Sequence, residues 1–280
     1  MKLNLGSGYR KIPGWVNIDR DAQAKPALDI IFRSHASGNF RKGMRRVTDN
    51  LGGKEELTIR SLRSLINGLL VLERRNDVKL RLTIIDDHSC DTAVARMRAL
   101  LARSPFETSF VPLADSGNAA SFKACLEYAR KEHGELVYFV EDDYLHESSA
   151  MVEMYDSYRI FTRHLLEPVA LFPVDYVDFY LPEYMHPTRV VLGSQRHWRI
   201  SYSTTVTFFL PRTLFETHYD HFMRATEKEA QMDEEKSFNP VWREHSVLFS
   251  PLPTLAIHVH NENLMPPFSN WIKLWNNLKT

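Results

Sequence analysis

Strands alternating with helices predict an α/β fold, built on a mixed, mainly parallel sheet flanked by helices. Three observations carry this expectation. Apolar runs of strand length recur at Leu28 to Arg33, Leu80 to Ile85, Phe110 to Leu113 and Leu136 to Val140, and the segments between them repeat their apolar residues at helical spacing. The third observation is where the acids stand: Asp86-Asp87 and Glu141-Asp142-Asp143 each follow a strand, and open parallel sheets bind ligands beyond the carboxyl ends of their strands.

Taken in order, Leu28-Asp29-Ile30-Ile31-Phe32-Arg33 is the first strand. The stretch from Ser37 to Lys54, rich in Gly, Arg, Lys and Asn, lacks apolar periodicity and reads as a loop. Leu57, Leu62, Leu65, Ile66, Leu69 and Leu70 then stripe a helix. Leu80 to Ile85 is the next strand, Asp86 to Asp91 a polar turn, and Val94, Met97, Leu100 and Leu101 a second helix. A third round runs through Phe110-Val111-Pro112-Leu113, a loop at Ser116-Gly117-Asn118, a helix carrying Phe122, Leu126 and Ala129, and the strand Leu136 to Val140. Later, Ser203-Thr204-Thr205 opens an apolar strand from Val206 to Leu210.

The 280 residues, 44% hydrophobic and 25% charged, suffice for a sizeable core. Lys plus Arg and Asp plus Glu balance at 35 each, so no global field favours nucleic acid, and any anionic ligand needs local chemistry. Cys90 and Cys125 have neither metal nor redox spacing, which fits reduced thiols in a cytoplasmic protein. No signal-like segment and no apolar run near the ~20 residues of a membrane span is present, leaving peripheral membrane association open.

Five carboxylates on one rim repel one another, and a hard divalent cation, Mn²⁺ or Mg²⁺, relieves that repulsion while bridging carboxylate to phosphate. Asp143, the last acid after the apolar run Tyr138-Phe139-Val140, is the preferred direct ligand. In Pro253-Thr254-Leu255-Ala256-Ile257-His258-Val259-His260, a strand would point His258 and His260 to one face, and imidazole suits Mn²⁺. Either could join the metal. Asp233 and Glu234, in Met232-Asp233-Glu234-Glu235, are candidate general bases, although the same run also reads as a solvated charged face. Phe172, Tyr176, Phe179, Tyr180, Tyr184, Trp198 and Tyr202 form an aromatic segment able to stack on sugar rings or fill a core; Trp198, between Arg196-His197 and Arg199, is the acceptor-binding candidate.

These residues resemble, in order, the family-two glycosyltransferases and their relatives. Ile31-Phe32-Arg33-Ser34 looks like their first strand, Ile84-Ile85-Asp86-Asp87-His88-Ser89-Cys90-Asp91 like their nucleoside-binding turn, and Gly117-Asn118 like the loop before their third helix. Glu141-Asp142-Asp143 falls where their D-x-D-type motif falls. The likeness spans about Leu28 to Tyr144 and continues more faintly to Trp271. It implies a GT-A-like, Rossmann-type fold and a nucleotide-diphosphate sugar donor. Asp86 or Asp87 would meet the base, with Arg33, Ser34 and Asn118 in the same pocket. Glu141 and Asp142 would bind the nucleotide sugar, Asp142 at the ribose, and Asp143 the metal. The match of Pro253 to His258, with Pro266 and Trp271 after it, favours His258 as the second metal ligand. Arg33 replaces a smaller residue common in that family, and a guanidinium there also suits phosphate.

Leu3-Asn4-Leu5-Gly6-Ser7-Gly8, with Pro13-Gly14-Trp15-Val16-Asn17-Ile18-Asp19, resembles the opening of class I S-adenosylmethionine-dependent methyltransferases, but only over about the first 20 residues. The expected organisation is therefore an N-terminal extension at 1–27, a nucleotide-sugar-binding half at 28–145 and an acceptor-binding half at 146–280. The expected activity is metal-dependent, inverting transfer of a sugar to a glycan, lipid-linked or other small acceptor. The alternatives are a methyltransferase remnant and a non-catalytic glycan-binding module.

Overall fold

The computed structural model describes residues 25–37, 52–182, 187–259, 265–266 and 268–278, with strand positions 2–3 and 15–16. The glycine turn at Gly6 and Gly8, most of the loop expected before Lys54, Tyr184 and His260 lie outside the described residues. Within them, β1 (Lys2–Leu3) and β2 (Trp15–Val16) form a short parallel pair.

The first half alternates as expected: β3 (Ala27–Ser34), α1 (Gly53–Glu73), β4 (Lys79–Asp86), α2 (Asp91–Leu101), β5 (Glu107–Pro112), α3 (Asn118–Lys131) and β6 (Leu136–Glu141). The chain continues through β7 (Tyr144–His146), α4 (Ala150–Leu165), β8 (Val169–Leu171), β9 (Val190–Leu192), β10 (His197–Ser201) and β11 (Phe208–Pro211). Two short helices, α5 (Arg212–Thr217) and α6 (Tyr219–Arg224), precede β12 (Val247–Leu252), β13 (Ala256–His258) and α7 (Trp271–Asn277).

Nine strands make one mixed, mostly parallel sheet in the order β5-β4-β3-β6-β11-β8-β12-β10-β9. β3 runs parallel to β4 and β6, while β11 and β10 are antiparallel to their neighbours. In β3, Leu28, Ile30 and Phe32 enter one apolar cluster, with α1, α2 and α4, and Ile31 enters the other, beneath α3. Both faces are thus covered, which is why the strand reads as a nearly continuous apolar run rather than an alternating one. The exception is Asp29, buried and held by Arg81 Nε at 2.6 Å, the Gly134 amide at 2.9 Å and Arg212 Nη2 at 3.1 Å.

α1 starts at Gly53, within the expected loop, because its first turn, Gly53-Lys54-Glu55-Glu56, is polar and adds no apolar stripe. Gly52 and Gly53, at φ 113° and 70°, make the left-handed entry that residues with a Cβ resist. The later strand begins at Phe208 rather than Val206. Four strands of the second half escape sequence reading: β8, β9 and β10 because they are short and set among aromatic and polar residues, and β12 because Ser250 and Pro251 interrupt its apolar run. No helix among the described residues is long and apolar enough to cross a membrane.

Register builds the functional rim. Ser34 stands opposite Asp86, and Arg33 opposite Glu141, so three strands end at one level. Beyond them β13 pairs antiparallel with β7, His258 opposite Tyr144, and the Val259 amide donates to the Asp143 carbonyl at 2.8 Å.

Candidate active site

The two acid clusters share this rim. Ser34 Oγ donates to Asp86 Oδ1 at 2.7 Å, and the Ser89 amide approaches Asp86 Oδ2 at 3.2 Å. The Gly117 amide donates to Asp87 Oδ2 at 2.9 Å, tying the turn after β4 to the loop before α3. Gly117, at φ 116°, takes a backbone conformation in which a Cβ is strained.

Arg33 crosses from β3 to Glu141, with Nη2 to Oε1 at 2.5 Å, and its Nη1 donates to the Asn118 carbonyl at 3.1 Å and to the Asn118 side chain. Burial opposes the charge on Arg33, but the Glu141 carboxylate overrides it, and the guanidinium is held above its ordinary pKa. Glu141 is raised, first by burial and then by repulsion from Asp143, against the pull of Arg33 and His258.

The chain direction separates the three successive acids. Glu141 and Asp143 act on one another and on His258, whose Nε2 lies 3.5 Å from Asp143 Oδ1. Asp142 turns instead toward α1: its carboxylate accepts from the His35 amide at 2.8 Å and Thr58 Oγ1 at 2.9 Å and pairs with Lys54. The acid expected at the ribose is therefore occupied as a clamp between β3, α1 and the end of β6.

Sequence reading missed the residues that hold His258. Tyr176 Oη meets His258 Nδ1 at 2.6 Å, and Tyr144 stacks on the imidazole with centroids 4.6 Å apart and planes 9° from parallel. Tyr144 Oη in turn reaches Thr205 Oγ1 at 2.6 Å. The only signal in sequence was their aromatic character, which a core explains equally well.

Beside His258 opens a cavity of about 390 Å³, bounded by β10, the loop after it and the segment around Glu234. Glu234 lines it; burial and then nearby carboxylates, Glu141 first among them, raise its pKa. Asp233 does not line it. Its carboxylate pairs with Lys236 Nζ at 2.9 Å and accepts from the Glu235 and Lys236 amides, contacts that lower its pKa and close a local turn. Trp198, the acceptor-binding candidate, does not line the cavity. It is fully buried on β10, with Nε1 donating to Glu153 Oε1 at 3.1 Å and its ring edge-on to Phe161.

Among the described residues, no group of three or more His, Cys, Asp and Glu is arranged to hold a metal ion unaided. The pair Asp143 and His258 still fits a divalent ion. Donors each about 2.1 Å from one ion lie within roughly 4 Å of each other, and Mg²⁺-type ions commonly take one or two protein ligands plus substrate phosphates. A proton on Nδ1, bonded to Tyr176 Oη, would leave Nε2 as the ligating atom.

No protein-family model matches the sequence, and no curated protein matches it. Among solved structures, the chain is similar to residues 1–349 of S. aureus TarS, at 14% identity and TM-score 0.50, over 80% of this chain and 59% of that one. A structure of the same fragment in complex with UDP aligns at TM-score 0.46 and 14% identity, with the same coverage of 80% and 59%. HddC from Yersinia pseudotuberculosis aligns at TM-score 0.47 and 12% identity, over 91% of this chain and 100% of that one. The chain thus spans 59% of the length of the TarS fragment. Its fold is the GT-A-like α/β fold of nucleotide-diphospho-sugar transferases.

Proposed function

We propose that the chain is a glycosyltransferase that moves a sugar from a nucleotide-diphosphate donor to an acceptor hydroxyl by direct displacement, with inversion. The observation that carries this is the convergence of Glu141, Asp143 and His258 on the sheet rim, next to a cavity lined by the half-buried Glu234. The turn at Asp86 and Asp87 borders the nucleoside side of the rim. Arg33 and Asn118 would meet donor oxygens there, and Arg33 also pulls against the burial that raises Glu141. Asp143 and His258 would hold Mn²⁺ or Mg²⁺, which when bound offsets charge on the departing diphosphate. Glu234 takes the proton of the attacking hydroxyl: its carboxylate is the unprotonated form, and its raised pKa strengthens it as a base.

A thermal-shift series with UDP, GDP, CDP and ADP, each with and without Mn²⁺, tests the proposal. One nucleotide with Mn²⁺ should raise the melting temperature, and Asp143→Ala should abolish that rise, because only ligand bound to the native state stabilises it. No shift from any nucleotide, with or without metal, would sink the reading.

A further inference from the structure

The wall of the 390 Å³ cavity carries a specific balance of charge and hydroxyl groups. Its two arginines are both engaged by protein carboxylates. Arg199 Nη2 lies 2.5 Å from Asp175 Oδ1, with its guanidinium over the Tyr180 ring at 4.5 Å and the Phe179 ring at 5.2 Å. Arg243 grips Glu235 with both nitrogens, at 2.6 and 2.8 Å. Glu234 and Asp178 add two further carboxylates to the same wall, so its lining is net negative.

Anion sites have the opposite character: they offer a guanidinium fork or a row of backbone amides to the incoming oxygens. Here an arriving phosphate meets guanidinium groups already bonded to carboxylates, and like charge from Glu234 and Asp178. Apart from Ile200, Asn239 and His258, the remainder of the lining is hydroxyl and aromatic, with Ser201, Ser203 and Thr205 beside Tyr176, Phe179 and Tyr202. Hydroxyls both donate and accept, and flat rings offer faces to C–H groups. A neutral ring of alternating C–H and O–H groups matches both. The volume lies at the small end of the range for ligand pockets, ~300–1,000 Å³, and leaves room for about one or two sugar rings.

We propose that this cavity receives the acceptor as an uncharged sugar ring and rejects acceptors that carry phosphate or carboxylate on that ring. The proposal deepens the transferase reading and rests on it for the word acceptor. The cavity places the ring beside Glu234 and His258, whereas Asp143, Asp86 and Asp87 do not line it.

Calorimetric titration of the full chain tests it, with and without the nucleotide and Mn²⁺ that stabilise the protein. The probes are methyl glycosides of glucose, galactose, mannose and N-acetylglucosamine, and their 6-phosphates and uronic acid counterparts. At least one neutral glycoside should bind, with its charged counterpart weaker by about tenfold or more. Tyr202→Leu should weaken the glycoside several-fold while the nucleotide-induced melting shift stays unchanged, and Asp178→Asn, a milder change at the wall, should narrow the gap to the phosphate. Equal or tighter binding of the charged probes overturns the proposal. So does the absence of glycoside binding to protein that binds nucleotide. Glycoside binding to protein that ignores every nucleotide keeps the cavity as a neutral-sugar site and removes the transferase reading instead.

Discussion

Glu234 lines the cavity with a carboxylate raised by burial, whereas Asp233 next to it closes a turn with Lys236. Glu234→Gln should cut the transfer rate by ~10²-fold or more with donor binding intact, and Asp233→Asn should leave both near wild type. The pH dependence follows from the sign of the shift. A base acts unprotonated, so with its pKa above the ordinary glutamate value the acid limb of kcat/KM should lie at higher pH than a solvent-exposed glutamate would give, and Glu234→Gln should remove that limb. Tyr176 bonds His258 Nδ1 at 2.6 Å, so Tyr176→Phe should weaken Mn²⁺ binding ~10-fold by titration while the fold persists. Residue identity told that acids and a histidine were candidates. Which of two adjacent acids faces a cavity depends on how the turn at Asp233 packs, and residue type carries no record of that.

At the scale of elements, the acids after β6 show how one turn divides labour. Asp142 binds α1 through Thr58 and Lys54 and holds the His35 amide, while Asp143 faces His258. Removing one partner of a buried ion pair strands the other, at about 3–5 kcal/mol. Asp142→Ala should therefore lower stability in urea by roughly that amount, and Asp143→Ala by much less. β10 and its preceding turn make a second structural unit. Trp198 fills the core, and a Cβ on Gly193 would collide with Ser157 Oγ and the Trp198 indole nitrogen. Trp198→Ala should cost about 3–5 kcal/mol in the same measurement. Strands β3, β4 and β6 were legible because burial on both faces writes them as apolar runs. β9 and β10 were not, because Val190 and Leu192 are exposed at the sheet edge and Arg199 and His197 interrupt the pattern.

Across the whole molecule, His218 at the end of α5, His221 in α6 and His245 before β12 come together from separate elements, with ring centroids 5.3 to 5.8 Å apart. Burial, then neighbouring charge, lowers the pKa of His218 and His221: His245 and His221 act on the first, Arg224 and His245 on the second, with Asp220 and Glu244 opposing at His221. A histidine with a lowered folded-state pKa binds more protons when unfolded. Its stabilising contribution is therefore present above about pH 6.5, the unfolded value, and lost as pH falls through the folded one. The melting temperature should fall between pH 6.5 and 5 in wild type and fall less in His221→Gln; an unchanged slope would remove this account. By itself the sequence determined the α/β class, the order of the first half and the positions of the acidic turns. Burial periodicity and strand-end acids are local properties, written in adjacent residues. Only the tertiary structure decided that Asp142 turns from the rim, that Trp198 is core, that Glu234 rather than Asp233 lines the cavity, and that Tyr176 holds His258. Each of these depends on contacts between residues tens of positions apart, where register and packing choose among side chains that local chemistry leaves equivalent.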